Sequence, residues 1–365
     1  MFLTIAIFII ILGLLILVHE IGHFVVAKRA GVRIEEFGIG YPPRLFGVKK
    51  GETIYSLNLF PIGGFVKIYG ENGADSEGKK NKDNKAFYNQ PIRKRAMILV
   101  AGVTMNFLLA CLLLGIGHWI GLPSIINDDE SANLKDAKVQ IVQINPDSPA
   151  NQAGINIGDT IKEFRISNFE SRIDTVNQAQ EFVSSHKGEE VVLVIQRGNE
   201  VLEKTLVPRS VFPDDQGPLG VALARTAIVS YPWYNALIKG IVSTVNLTWA
   251  IAIAFGNLFW QLATTGHLAI EVAGPVGIFD FTAQAVQLGF IYLLQLTALL
   301  SINLAIINIL PFPALDGGRL LFLAIEKIKG SPVSQKIEGF THTAGFVILI
   351  LLMIAVTWRD IIRLF

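Results

Sequence analysis

The chain has 365 residues, 51% of them hydrophobic and only 17% charged, a composition too apolar for an ordinary soluble protein. A net charge of +1, with no basic run interleaved with aromatics, points to no nucleic-acid partner. The single cysteine, Cys111, excludes an internal disulfide and a cysteine-built zinc site.

In chain order, the first apolar stretch runs from about Phe2 to Ala27. It lacks a basic start and a small-residue cleavage site, so it reads as a retained membrane helix rather than a signal peptide. The segment Lys28 to Arg95 is rich in Lys and Arg, which by the positive-inside bias makes it cytoplasmic and starts the N-terminus outside. A second span, about Ala96 to Gly121, then delivers residues 122–230 to the outer side. Their composition shifts to Asp, Asn, Gln, Gly and short β-branched runs, the mark of an inserted soluble domain. Third and fourth spans are expected at about Leu288 to Leu310 and Gly339 to Trp358.

Between them lies a fifth apolar stretch, about Pro232 to Leu262, within a segment 231–287. On a helical wheel Asn235, Lys239, Ser243, Asn246, Asn257 and Gln261 fall within about 80° of one another. Such a stripe suits a helix lying on the membrane, or one crossing it with the stripe against neighbours.

The chemistry concentrates at His19-Glu20-Ile21-Gly22-His23, an HExxH string. On a helix, residues i and i+4 stand one turn apart, so His19 and His23 can grip one metal while Glu20 beside it accepts a proton from water. The alternative is a pair of helix histidines near the membrane surface. His23 falls about 7 Å and His19 about 13 Å inside the start of the basic loop, at 1.5 Å per residue. Three ionisable groups in an apolar span are costly without a partner, and a divalent metal is such a partner.

Two histidines leave a catalytic zinc one protein ligand short. The candidate is Asp316, in Asn308-Ile-Leu-Pro-Phe-Pro-Ala-Leu-Asp-Gly-Gly318, where Pro311 and Pro313 end the helix and the paired glycines let the backbone turn. His118, His186, His267 and His342 are worse placed. Asp316 reaches the HExxH end of the first span only if the third span also runs from outside to inside. The stretch 232–262 then does not cross, leaving four spans, with Arg319, Lys327, Lys329 and Lys336 in the cytoplasm.

HEIGH in a first membrane helix and NILPFPALDGG in a later one together resemble the site-2 protease family of intramembrane zinc metalloproteases, most nearly its bacterial sigma-E-regulating branch. The resemblance spans nearly the whole chain. It implies zinc held by His19, His23 and Asp316, Glu20 as catalytic base, and Asn303 and Asn308 contacting the substrate backbone. Gly102-Val-Thr-Met-Asn106 is similar to the family's GxxxN element, with Val103 in place of the usual proline.

The same family carries a β-hairpin beside its active site, and Pro61-Ile-Gly-Gly-Phe-Val-Lys-Ile-Tyr-Gly-Glu71, in a hairpin expected at about 54–71, is similar to it. Its strand edge, Gly63, Gly64, Phe65, Val66 and Lys67, would hold an extended substrate; a plain loop hairpin is the alternative. In the outer domain, Val139 to Ile161, a helix near Thr175 to Ser185 and a turn at Gly198-Asn199 resemble one PDZ domain, which would take a peptide ligand; a β-rich spacer is the other reading.

The expectation is therefore a polytopic α-helical membrane protein of four transmembrane helices, with a membrane-associated β-hairpin and one inserted PDZ domain. Residues 1–121 and 288–365 form the two halves of the protease core, 122–230 the outer domain and 231–287 a membrane-associated amphipathic segment. Its cofactor is Zn2+, and its partners are single-pass membrane protein substrates, the PDZ peptide ligand and the lipid bilayer. Resemblance implies anti-sigma factors or remnant signal peptides as substrates. The location is a bacterial cytoplasmic (inner) membrane, with the active site near the cytoplasmic face. A membrane metal transporter or a non-catalytic PDZ scaffold would be the alternatives. The first would want polar groups along a path through the bilayer, and the second would be expected to lack Glu20.

Overall fold

The structure, a computed structural model, describes residues 2–71, 83–126, 128, 135–166, 169–198, 200–213, 216–265 and 273–362. The expected turn is described at Gly198 but not at Asn199, and His267 lies outside the described residues. The chain divides into two compact units, Met1–Gly117 with Leu237–Phe365, and His118–Ala236. The expected outer domain, 122–230, falls inside the second unit.

The first unit opens with α1, Phe2–Arg29, apolar on all sides as a membrane helix must be. Its buried residues, Ile11, Leu15, His19, Gly22 and His23, recur every three or four positions and so form one inward stripe. Directly after it come β1, Ile34–Lys50, and β2, Thr53–Ile68, paired antiparallel. The paired strands therefore begin 20 residues before the hairpin expected at 54–71. Both strands fold back on themselves: Phe37 pairs with Tyr55 on one side and with Val66 on the other. The stretch around Gly64 to Lys67 thus has β1 on one side and, among the described residues, no strand on the other.

Next comes α2, Ile92–Ile120. It meets α1 at backbone distance, since a Cβ on Gly22 would lie 2.4 Å from the Ala101 carbonyl oxygen. The second half of the unit holds α5, Trp233–Thr265; α6, Pro275–Leu288; α7, Phe290–Ile309; α8, Asp316–Lys329; and α9, Gln335–Ile362. The segment 231–287 thus contains two helices. Helix α5 buries Ala236, Gly240 and Thr244, a small-residue seam that lets Gly240 reach the backbone of Gly115 on α2. The stripe read from the sequence leaves Asn235, Asn246 and Asn257 exposed. Helix α6 packs into the bundle, with Phe279 edge-on to Phe8 of α1. Its first turn is capped from α9, where the buried Asp360 carboxylate accepts the Gly274 and Gly277 N–H groups at 2.9 Å.

Five helices among the described residues are long and apolar enough to cross a membrane: Phe2–Arg29, Ile92–Ile120, Trp233–Thr264, Phe290–Ile309 and Lys336–Ile362. Together with a β-rich unit they make this a polytopic membrane protein.

The second unit is a seven-stranded sheet. Its strands are β3, Leu122–Ile125; β4, Lys135–Ile144; β5, Thr160–Ile166; β6, Phe169–Arg172; β7, Val191–Arg197; β8, Glu200–Leu206; and β9, Val221–Val229. They run in the order β3-β9-β4-β5-β7-β8, with β6 beside β5. Two short helices cover it: α3, Pro149–Gln152, and α4, Val176–Ser185, the latter opened by a Thr175/Gln178 capping box. The core is apolar and closed, with Val139, Phe164, Ala179 and Ile195 fully buried. Beside it the Asp159 carboxylate, 1% exposed, takes a two-pronged bond from Arg197 at 2.8 and 2.7 Å.

Candidate metal centre

The inward stripe of α1 presents both imidazoles to one spot, and the start of α8 brings a carboxylate to the same spot from nearly 300 positions away. Asp316 Oδ2 lies 3.0 Å from His19 Nε2 and 3.2 Å from His23 Nε2, and the two nitrogens are 3.1 Å apart. A tetrahedral zinc with bonds of about 2.0–2.1 Å separates its ligands by about 3.3 Å. Three donors so spaced, two neutral nitrogens and a carboxylate oxygen, fit that ion.

Each imidazole is aimed by α2. His23 Nδ1–H donates to the Ile98 carbonyl at 2.8 Å, which leaves Nε2 as the free lone pair. His19 Nδ1 lies 3.3 Å from the amide of Asn106, a side chain with no exposed surface. With a metal on Nε2 the proton sits on Nδ1, so the Asn106 amide is read with its oxygen turned to the ring. Gly102 lies between these contacts: a Cβ there would sit 2.5 Å from His23 Nε2 and 2.7 Å from His19 Cε1. The second-span GxxxN element thus leaves room for the two rings at Gly102 and meets one of them at Asn106.

Asp316 is the first residue of α8, at the electropositive end that favours a carboxylate. The Gly317 and Gly318 pair has a sharper reason than a flexible turn. A Cβ on Gly317 would meet the Leu310 carbonyl oxygen at 2.1 Å, and one on Gly318 the Phe312 carbonyl oxygen at 2.3 Å. Helix α8 therefore starts packed on the loop that leads into it. The residue that adopts positive φ is Ala314, at +76°.

Glu20 stands next to the triad, and its Oε2 accepts the Val66 N–H of β2 at 3.0 Å. A cavity of about 200 Å³ joins these groups. It is walled by His19, Glu20 and His23 of α1, Leu99 of α2, Phe65, Val66 and Ile68 of β2, and Ala314 to Asp316 with Arg319. Arg319 pairs with Glu71, just past the end of β2, and so ties the strands to α8.

The sequence-derived substrate contacts divide. Phe65 and Val66 line the cavity. Gly63, at φ +80°, packs against Ile16 of α1, and Gly64 approaches the Gly38 carbonyl oxygen, so neither has room for a side chain. Lys67 points to the exterior, paired with Glu35 at 2.7 Å. Asn303 and Asn308 lie on α7 and are not among the cavity's walls; the Asn303 amide donates to Leu299 of its own helix. Ile98 and Arg319 carry no motif signal, and the strings that hold Asn106 and Glu71 give no hint of their contacts. Their parts emerge only from how α2 packs on α1 and how α8 meets the end of β2.

The sequence matches the family model described as "Peptidase family M50" over residues 7–352. It is 33% identical to the zinc metalloprotease RasP of Oceanobacillus iheyensis and 33% identical to that of Bacillus licheniformis, with 99% of each chain covered. It is 31% identical, again over 99% of both chains, to the regulator of sigma-W protease RasP of Bacillus subtilis.

Proposed function

The chain belongs to peptidase family M50 and is an intramembrane zinc metalloprotease, and from that premise we propose that His19, His23 and Asp316 hold the zinc and Glu20 is the catalytic base. The observation that carries this assignment is the spacing of the three donors, 3.0 to 3.2 Å, with a carboxylate beside them. Zinc, when bound, supplies a Lewis acid that polarises the scissile carbonyl and makes water a better nucleophile. Glu20, steadied through Oε2 by the Val66 N–H, keeps its second oxygen free to take the proton of the attacking water and pass it to the leaving amine.

The substrates we propose are single-pass membrane proteins, in the manner of anti-sigma factors or remnant signal peptides. A helix hides its amide carbonyls, so the scissile stretch must be extended. The unpaired side of β2 at Gly64 to Val66, which faces Glu20, suits pairing with such a stretch.

Four crossings, with the N-terminus outside, support this placement best. The catalytic end of α1 and the residues just past α7 meet at one site, so α1 and α7 run in the same sense and an even number of crossings separates α2 from α7. A pair made of α5 and α6 is excluded by length: 14 residues of α6 reach about 21 Å, short of a bilayer core of about 30 Å. Helix α5 then lies along the membrane. The membrane is a bacterial inner membrane, with the cavity near its cytoplasmic face.

The second unit is proposed as a PDZ domain on the outer side that binds extended peptide and excludes substrates not yet trimmed there. Deleting residues 137–208 is expected to admit untrimmed substrate; unchanged selectivity would count against that role. For the site itself, a chelator is expected to abolish cleavage of a membrane-embedded reporter by the purified protein, and stoichiometric zinc to restore it. Cleavage that survives complete zinc removal would sink the assignment.

A further inference from the structure

We propose that His342, on α9, is a positioning residue that sets the aim of Asp316 through the backbone of Ala314. The inference rests on Asp316 being a zinc ligand. The loop from α7 to α8 turns at Ala314, where φ is +76°. A left-handed backbone is unfavourable for an ordinary L-residue and persists only where the surroundings enforce it. The enforcing contact comes from α9: the Ala314 N–H donates to His342 Nδ1 at 2.9 Å. Three residues further along α9, Gly345 admits the same loop at close range, since a Cβ there would lie 2.6 Å from Pro313. Helix α9 thus grips the loop at two adjacent residues, and Asp316 follows two positions after Ala314.

The imidazole is an expensive way to fill this space, which identifies the atom that matters. To accept at Nδ1, the ring carries its proton on Nε2, and Nε2 is buried without a hydrogen-bond partner among the described residues. A phenyl or leucyl side chain would avoid that cost and pack equally well near Phe322 of α8, whose ring lies 5.7 Å away. What only the histidine supplies is the acceptor for the Ala314 N–H. Without it, Ala314 is free to relax to negative φ, turning the adjoining peptide plane. The Asp316 oxygen, now 3.0 and 3.2 Å from the two imidazole nitrogens, would then leave the ligand triangle. Metal–ligand distances tolerate deviations of only about 0.2 Å.

The test compares His342→Phe, His342→Leu and His342→Asn in the full-length protein in detergent, with Asp316→Ala as reference. Zinc affinity is read by chelator competition, ligand geometry from the visible spectrum of the Co2+ form, and kcat and KM from reporter cleavage. The Phe and Leu variants are expected to bind zinc about tenfold more weakly, to shift the Co2+ bands and to lower kcat with little change in KM. Asn, whose Oδ1 falls close to the position of Nδ1, is expected to stay within about threefold of the unaltered protein. Phe and Leu variants that hold zinc as tightly as the unaltered protein would overturn the proposal. So would an Asn variant that fails as badly as they do while all unfold at the same temperature, since ring packing would then be the cause. If Asp316→Ala leaves zinc affinity intact, the ligand assignment itself has failed; if it lowers affinity and His342→Phe does not, only the role of His342 has.

Discussion

Replacing Glu20 by Gln is expected to leave one zinc per chain while lowering the rate of peptide cleavage by about 10²–10⁴-fold, the usual contribution of a positioned general base. Glutamine has nearly the same volume, and its amide oxygen can still accept the Val66 N–H that Glu20 accepts now. The surrounding β2 strand and the two imidazoles therefore keep their places. What is lost is the proton acceptor alone, so the variant separates the base from the ligands. Metal analysis and reporter cleavage on the same preparation check it. A Gln variant that cleaves at the normal rate would remove Glu20 from the mechanism, and one that loses its zinc would make Glu20 a ligand instead.

Adding a single methyl group at Gly102 is expected to do the reverse, weakening zinc binding while every ligand residue and the base keep their identity. The new Cβ would lie 2.5 Å from His23 Nε2 and 2.8 Å from His19 Nε2, well inside contact distance of both donor atoms. Neither side can yield cheaply. His23 is held by the Ile98 carbonyl, and α2 is already at backbone contact with α1 through Gly22 and Ala101. Gly102→Ala should weaken zinc binding by about 10²-fold, at the upper end of what neighbours of a metal ligand contribute. Competition with a chromophoric chelator measures it, with thermal unfolding to confirm an intact fold. Zinc binding equal to that of the unaltered protein would mean that the site is not where the imidazoles converge.

The metal centre was legible because its signals are local and strongly periodic. His19 and His23 sit one helical turn apart, and the Pro-rich approach to Asp316 marks a helix end whatever the tertiary structure. The requirement that both ends meet then led to an expectation of four spans from spacing alone. Other features were not legible, for physical reasons. The expected hairpin at 54–71 covers β2, but β1 escaped because Glu35 to Lys50 shows no clean alternation and holds two prolines, while the pairing runs through repeated register shifts. On α5 the polar stripe drew attention, yet the helix buries Ala236, Gly240 and Thr244, since close helix approach selects small side chains whether or not they are polar. Asn303 and Asn308 came from resemblance alone, and the cavity walls do not include them. His342 looked like a poor ligand, and among the described residues it stands outside the three-donor group; its contact is with a backbone amide, which no motif encodes.

The backbone contact between α1 and α2 also bears on how a substrate could reach the proposed zinc. Gly22 rests on Ala101, and Gly102 leaves no slack beside the imidazoles. A helix arriving sideways from the lipid would therefore meet α1 and α2 closed at that point, and parting them would strip the imidazoles of the Ile98 and Asn106 contacts that aim them. The remaining approaches are bordered by β2, with its link from Glu71 to Arg319, and by the loop that α9 clasps.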